Sequence, residues 1–529
     1  MKFSPIGKAT RHFKKIGQFG FFSTKEFPER LAVVCIFIVF LYTSIRAYFL
    51  SMTHDEAITF LNHALGSFFD IFTHAGPIMS NNHLLNTILI KIFTSLFGIS
   101  EFVIRIPALI GHGLYLVGIY KVLGLFLKRY SFFLGICLLI CHPLMLDLFS
   151  CARGYSLGLG FLTLGLYYCF RGIKRPEVGQ DLKNNILAST MFALSVLSHL
   201  IFLNVFIAMV GVFVLSESII LVGQKHSIDL ATKHETGKNI FLSVVPSAIF
   251  LVIIYAYPIV KMVKAAGAEF SWGGVNGFWE DTVSSLIKIT LGNASSNPNI
   301  ILLSKGLIIT LLLFALSILL YDKSRNKELK LVNKYLSCLV LVLLFCCLSV
   351  VLQHYILNIK YPLGRYAIYL IPIFFLLVLC CWENIRFIRS KLIRLGVNSF
   401  FYLIIIILLV KFTNCVNLTH FYEWKYDAST KNMVEDIIEM NKDKELQDNS
   451  VQLGIVWNLE PSINYYIVKN RLRWMRKVNR DGPQGKFDYY YITSDHKEEL
   501  LKEYDLKVIK KYALSDTYLM VSNQLKDGS

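Results

Sequence analysis

Asp55 and Glu56 stand side by side in SMTHDEAITFLNH, residues 51–63, directly behind a strongly apolar stretch. A carboxylate beside a membrane cavity can take the proton of an acceptor hydroxyl as that oxygen attacks an activated centre, while a neighbouring carboxylate tunes or positions it. Asp55 and Glu56 are therefore the candidate catalytic residues. A plainer reading is also open, in which Thr53 caps a helix whose first turn favours acidic residues. In KYPLGRY, residues 360–366, Pro362 and Gly364 set a tight turn flanked by Lys360 and Arg365. Arginine presents a planar fork that grips phosphate oxygens. The alternative is interfacial anchoring, which suits the tyrosines of the loop. Arg153, in CARGYS, either pairs with Asp55 or Glu101 or meets phosphate.

Histidines 54, 63, 74 and 83 recur at spacings near ten, which match no ordinary ligand pattern, and neither HExxH nor DxD occurs. No metal or cofactor is expected. His83, in the NNH of residues 81–83, reads as a group that hydrogen-bonds substrate. The sequons at Asn293 and Asn417 matter only in a eukaryotic secretory pathway.

The elements that must carry these residues follow from composition. The chain has 529 residues, 54% of them hydrophobic, with 40 Phe and 27 Tyr and a mean hydropathy of +0.52. That excludes an ordinary soluble domain and indicates a polytopic α-helical membrane protein. The net charge of +18 concentrates in short loops between apolar runs, so it marks orientation rather than nucleic-acid binding. The 11 cysteines lie almost all inside apolar segments and read as buried thiols. Runs near 31–50, 106–126, 131–149, 155–170, 186–200, 202–222, 240–258, 300–320, 335–352, 367–381 and 398–413 predict about eleven transmembrane helices.

Lys- and Arg-rich loops alternate along the chain and place the N-terminal segment 1–30 in the cytoplasm. The run LLNTILIKIFTSLF, residues 84–97, is short and carries Lys91. It is expected as an amphipathic helix lying at the outer interface, inside a structured outer loop 51–105. Two further outer loops cover 259–299 and 353–366. The transmembrane domain spans 31–413. Beyond it, residues 414–529 turn polar, with strand-like VQLGIVW, DYYYIT and LKVIKKYALSDTYLMVS around a helical HKEELLKEY. This predicts a small extracytoplasmic α/β domain. With that topology the unusual polar residues share one side of the membrane, as groups around a functional cavity would.

The DE pair after the first helix, GPIMSNNHLLN, LFGISEFVIRIPALIGH, ARGYSL, the WGG loop and KYPLGRYAIYLIP occur in an order that resembles the dolichyl-phosphate-mannose protein mannosyltransferase-like superfamily. Its bacterial members include the aminoarabinose and lipopolysaccharide-core transferases, and they share the GT-C membrane fold. The resemblance covers roughly residues 30–380. It implies a glycosyltransferase that moves one sugar from a polyprenyl-phosphate donor, inverting the anomeric centre without an obligatory metal. Asp55 matches the catalytic base and Glu56 its partner. Arg105 and Arg153 match donor-site arginines, and Arg365, with Lys360, the loop that holds the lipid phosphate. Asn82, Tyr155 and Tyr361 join His83 as substrate-positioning residues. Aminoarabinose-type enzymes place a Lys-Pro pair where this chain has SNNHLL, so contacts in that loop differ. The implied partners are the bilayer, the lipid-linked donor, and a glycolipid, surface polysaccharide or protein acceptor, at a bacterial inner membrane. The rival from another class is a lipid-linked sugar flippase or transporter, although the related halves usual in transporters are not seen here.

Overall fold

The computed structural model describes residues 27–174, 180–223, 230–265, 272–292, 297–320, 326–388 and 390–523. The basic N-terminus as far as residue 26, the connections 175–179, 224–229 and 321–325, and the sequon at Asn293 lie outside the described residues.

All eleven apolar runs are helical. They form Phe27–Phe49, Glu101–Leu123, the pair Arg129–Ile140 and Pro143–Phe149, Tyr155–Lys174, Gln180–Ser198, Leu203–Gly223, Leu230–Lys264, Pro298–Leu320, Lys327–Leu357, Leu370–Ile385 and Lys391–Cys415. Among the described residues six helices are long and apolar enough to cross a membrane, or seven if the bent pair counts as one span. The chain is thus a multi-pass membrane protein. Helix Pro298–Leu320 shows why: Leu302, Leu303, Leu313 and Leu320 all point outward, and an element that is apolar all round belongs in an apolar solvent. Tyr155–Lys174, by contrast, is buried along most of its length. Its neighbours rather than lipid cover it, so it tolerates a more polar composition.

One expected span is corrected. The run 131–149 is not a continuous helix but bends by 66° between Ile140 and Pro143. Pro143 cannot donate a backbone hydrogen bond and biases the preceding residue away from helix, and His142 is extended at φ −104, ψ 120. The bend brings Asp147 to Arg46, with which it forms a buried ion pair. Asp147 also accepts the Tyr422 N–H at 2.6 Å.

The short run forms helix Leu84–Phe97, with His83 at its N-cap and Gly98 at its C-cap. Lys91 is not stranded in an apolar face. Its Nζ donates to the Ala64 and Gly66 carbonyls at 3.3 and 2.6 Å, which ties the helix to the end of the preceding turn.

The C-terminal unit is a four-stranded sheet of order β1-β2-β4-β3, from Leu453–Ile455 (β1), Tyr489–Thr493 (β2), Leu506–Tyr512 (β3) and Thr517–Ser522 (β4). β1 pairs parallel with β2, and β4 pairs antiparallel with both β2 and β3. Helices Thr430–Met440, Glu460–Lys469 and Ser494–Glu503 flank it. All four expected strand segments and the helix are present. The core of this unit does not close on itself. Met52, Ala57, Phe60, Ile90 and Ile104 join Met433, Ile463, Tyr465, Tyr490 and Leu519 in one apolar cluster. Burial of that shared surface clamps the segment 51–105 between bundle and sheet.

Candidate active site

The DE pair opens helix His54–Ile58, which passes into a π-turn at Thr59–Ala64. Thr53 is the N-cap. Its hydroxyl accepts the Glu56 N–H, and the Glu56 carboxylate accepts the Thr53 N–H, which completes a capping box. The plainer reading of the acidic pair therefore holds for Glu56. Successive side chains on a helix point about 100° apart, so Asp55 faces elsewhere.

Glu56 is wholly enclosed. Its carboxylate accepts from Arg105 Nε at 2.8 Å and Nη2 at 2.7 Å, from the Ala152 N–H at 2.7 Å, and from the Thr53 N–H at 3.1 Å and hydroxyl at 3.0 Å. Arg105 directs its other N–H groups to the carbonyls of Ala47, Leu50 and Ser51 at 3.2, 2.8 and 2.7 Å. A guanidinium has five N–H donors, and all five are used. Neither side chain of the pair is exposed at all. All of the Arg105 donors are thus committed to protein groups. Glu56 is likewise closed off as a group that touches substrate.

Asp55 sits in the opposite situation. Its Oδ2 lies 2.9 Å from Arg365 Nη2 and 3.4 Å from Arg153 Nη2, and the side chain is 12% exposed. Burial pushes the carboxyl upward, but the two guanidinium groups outweigh it and hold Asp55 below the usual carboxylate range. Arg153 is fixed by Thr59 Oγ1 at 3.1 Å and by Asn81 Oδ1 at 2.9 Å. Of its proposed partners, Asp55 is therefore the one it meets. Glu101 instead binds Lys469 at 2.6 Å and Lys431 at 4.0 Å. Arg365 also pairs with Glu423 and stacks over Trp424, with 4.6 Å to the ring centroid. Among the described residues, the Nε atoms of both Arg153 and Arg365 are buried without a hydrogen-bond partner.

Two glycines make this convergence possible. Gly154 has φ +74, and a Cβ there would fall 2.1 Å from the Ser198 carbonyl oxygen. Only glycine lets the Arg153–Tyr155 turn approach the helix that ends at Ser198. Gly364, at φ +56, donates its N–H to Ser285 Oγ at 2.9 Å, which pins the loop that aims Arg365.

Beside the arginines lies an aromatic stack. His199 packs 4.0 Å from His83 and 4.2 Å from Tyr155, measured between ring centroids. All three are buried. Tyr155 Oη, His83 Nε2 and His199 Nε2 have no hydrogen-bond partner among the described residues. Asn82 is buried, and its Nδ2 donates to the Ile71 carbonyl at 2.7 Å. Tyr361 lies elsewhere: it pairs backbone to backbone with Gly274 and stacks on His354 at 4.2 Å. Lys360 borders Gly273 in the same bridge. Among the described residues no group of three or more His, Cys, Asp or Glu is arranged to hold a metal ion.

Sequence reasoning missed the residues supplied by the polar segment after Cys415. Glu423 holds Arg365. Asp427 accepts the His54 N–H at 2.7 Å and the Ser462 hydroxyl at 2.6 Å. Tyr466 Oη accepts the Met52 N–H at 2.9 Å. The His54 ring meets the Asn458 carbonyl at 2.6 Å. The acidic-aromatic stretch FYEWKYD, residues 421–427, was the available signal, and it reads as a linker until its distant partners are known. Asn81, rather than Asn82, is the asparagine on Arg153.

Residues 81–232 match the family model for dolichyl-phosphate-mannose-protein mannosyltransferases. No curated protein matches the chain. Among solved structures, ArnT from Cupriavidus metallidurans bound to undecaprenyl phosphate is 10% identical, covers 93% of this chain and 97% of its own, and has a TM-score of 0.50. The apo state of the same enzyme gives 0.46 at the same identity and coverage. An oligosaccharyltransferase from Archaeoglobus fulgidus, in complex with zinc and sulfate, is 13% identical, with 93% of this chain and 73% of its own covered, at a TM-score of 0.39. The superfamily resemblance carried by the motifs is thus matched over residues 81–232, and the fold is that of ArnT, a GT-C fold.

Proposed function

We propose that this protein is a membrane glycosyltransferase, moving one sugar from a polyprenyl-phosphate donor to an acceptor hydroxyl with inversion. The observation that carries the reading is Asp55, a partly open carboxylate held between two arginines that each keep a buried, unpartnered Nε. The fold shared with a protein solved with undecaprenyl phosphate bound supports the choice of donor.

In this mechanism Asp55 takes the acceptor proton, the acceptor oxygen bonds to the anomeric carbon, and the bond from that carbon to the phosphate oxygen breaks. Arg365 and Arg153 stabilise the charge that develops on the leaving phosphate. Lys360 adds positive charge at the loop, His83, Asn82 and Tyr155 position substrate, and Tyr361 does so from the loop of Arg365, outside the aromatic stack. The two arginines do double duty. While they face Asp55 they keep it ionised and weakly basic. As a phosphate engages their forks, their hold on Asp55 relaxes and its basicity rises, so the base is strongest once the donor is in place. Glu56 and Arg105 act as the frame that aims the helix. The interfacial placement of Leu84–Phe97, the cytoplasmic N-terminus, the extracytoplasmic C-terminal unit and a bacterial plasma membrane complete the reading.

The test is genetic. Deleting the gene in the native host and restoring it with wild type or Asp55→Asn, followed by mass spectrometry of envelope lipids, glycans and proteins, should show one sugar mass lost from one class and recovered only with wild type. Full recovery with Asp55→Asn would sink the mechanism.

A further inference from the structure

His199 is not needed to explain how the bundle folds, yet it is built as a directed donor. It sits between helix Gln180–Ser198 and the turn Leu200–Phe202, and the Ile201 N–H donates to its Nδ1 at 3.3 Å. With Nδ1 accepting, the proton of the neutral ring resides on Nε2. That N–H is buried and has no acceptor among the described residues. A buried donor left without a partner costs free energy comparable to a lost hydrogen bond. Its ring is clamped between His83 and Tyr155, so it is not free to swing toward another partner. The charges that face it are those of Arg153 and Arg365.

Tyr155 shows the same pattern. Its ring is packed on His199, its hydroxyl is buried without a partner, and it faces Arg365, Tyr366, Arg153 and Glu423. Arg153 Nε, Arg365 Nε, His199 Nε2 and Tyr155 Oη are therefore buried and unpartnered among the described residues, and His199 and Tyr155, packed on each other, flank the turn that carries Arg153. A set of buried donors that no protein acceptor takes up is the complement of an oxyanion.

We infer that His199, together with Tyr155, donates hydrogen bonds to the phosphate oxygens of the lipid-linked donor, making a neutral wall to the site whose charged wall is Arg153 and Arg365. This deepens the proposed function and rests on it. The balance of the step is unchanged. The electron pair of the breaking sugar–phosphate bond goes to the phosphate oxygen, the acceptor proton goes to Asp55, and His199 keeps its own proton throughout. A neutral imidazole adds stabilisation without adding a charge that would further depress the basicity of Asp55.

The test measures binding of undecaprenyl phosphate and of the uncharged polyprenol to the purified full-length protein in lipid nanodiscs. His199→Leu should weaken the phosphate by about tenfold, the typical worth of one hydrogen bond to a charged group, and leave the polyprenol unchanged. His199→Gln, which keeps a donor at similar reach, should recover most of the loss. Tyr155→Phe, which removes only a hydroxyl, should weaken the phosphate without disturbing packing. Wild-type phosphate affinity in both His199→Leu and Tyr155→Phe overturns the inference, and so does equal weakening in the Leu and Gln variants, which marks a packing role. Failure of the parent reading looks different: wild type then shows no preference for the phosphate over the alcohol, and Arg153→Ala or Arg365→Ala makes no difference.

Discussion

The Glu56–Arg105 pair and the Asp55–Arg153–Arg365 cluster use the same residue types and begin from adjacent positions on one helix. In the first, a carboxylate and a guanidinium exhaust each other together with five backbone groups, and neither is exposed. In the second, one carboxylate faces two guanidiniums, is 12% exposed, and leaves donors unpartnered on the arginine side. A fully satisfied buried pair is a structural joint. An ion cluster with donors to spare, open on one side, is where a charged ligand can exchange places with a protein partner. The difference lies in which way each side chain leaves the helix.

Mutations should separate the two. The largest effect is expected for Asp55→Asn, which should lower transfer by about a hundred- to ten-thousandfold, the usual worth of a general base. Its polyprenyl-phosphate binding should be retained or tightened, because Asp55 and the phosphate share the same two guanidiniums. Glu56→Gln should do the reverse. It leaves a buried guanidinium without its counter-charge, which costs roughly 3–5 kcal/mol. The loss would be read as a lower unfolding midpoint and folded yield, with phosphate affinity per folded molecule unchanged. If Glu56→Gln were stable and inactive, the assignment of joint and site would have to be exchanged.

Arg365→Lys retains the charge and removes the fork that reaches Asp55 and Glu423 together. A loss of about tenfold in phosphate affinity is expected at a site that uses bidentate geometry. Equal affinity would place the phosphate away from this loop.

The smallest effect concerns the seam between the segment 51–105 and the C-terminal unit. Burial pushes the Asp427 carboxyl up to about 8, and the nearby Asp55 and Glu56 add to this, against the hydrogen bonds from Ser462 and the His54 N–H. The folded protein thus keeps a proton that the unfolded chain releases near pH 4. Between those values the folded state binds the extra proton, so stability declines as pH rises, by at most about 1.4 kcal/mol per pH unit. Unfolding midpoints from about pH 5 to 8 should fall in wild type and stay flatter in Asp427→Asn. A wild-type midpoint that rises over that range would contradict a protonated Asp427.

Much of the fold was legible because its periodicities are local. Apolar runs mark helices whatever lies beside them, and helix Leu84–Phe97 and the four strands of the C-terminal sheet stand where alternation and length place them. The bend at Pro143 was written in the sequence as well, but apolarity on both sides masked it. The site was legible in part. Asp55, Arg153 and Arg365 could be singled out because charges bordering apolar runs are costly unless they are used. Arg105 looks the same by that criterion, although its donors all meet protein groups, because the criterion reports cost and not the identity of the partner. Glu423 and Asp427 were invisible for the converse reason: in a polar segment an acidic residue carries no cost, and nothing marks it.

What the sequence determined by itself is the class of the molecule, the positions of its helices and strands, and the short set of residues whose chemistry demands a partner. Each of these follows from side-chain hydrophobicity and backbone preference within a few residues. Only the tertiary structure decided which partner each charge meets. Arg365 is 310 residues from Asp55 and 58 from Glu423, and no local preference spans such distances. The packing of residues 51–105 between bundle and sheet brings them within reach, and the direction in which each side chain leaves the short helix then leaves Glu56 enclosed and Asp55 partly open, as the carboxylate of the candidate site.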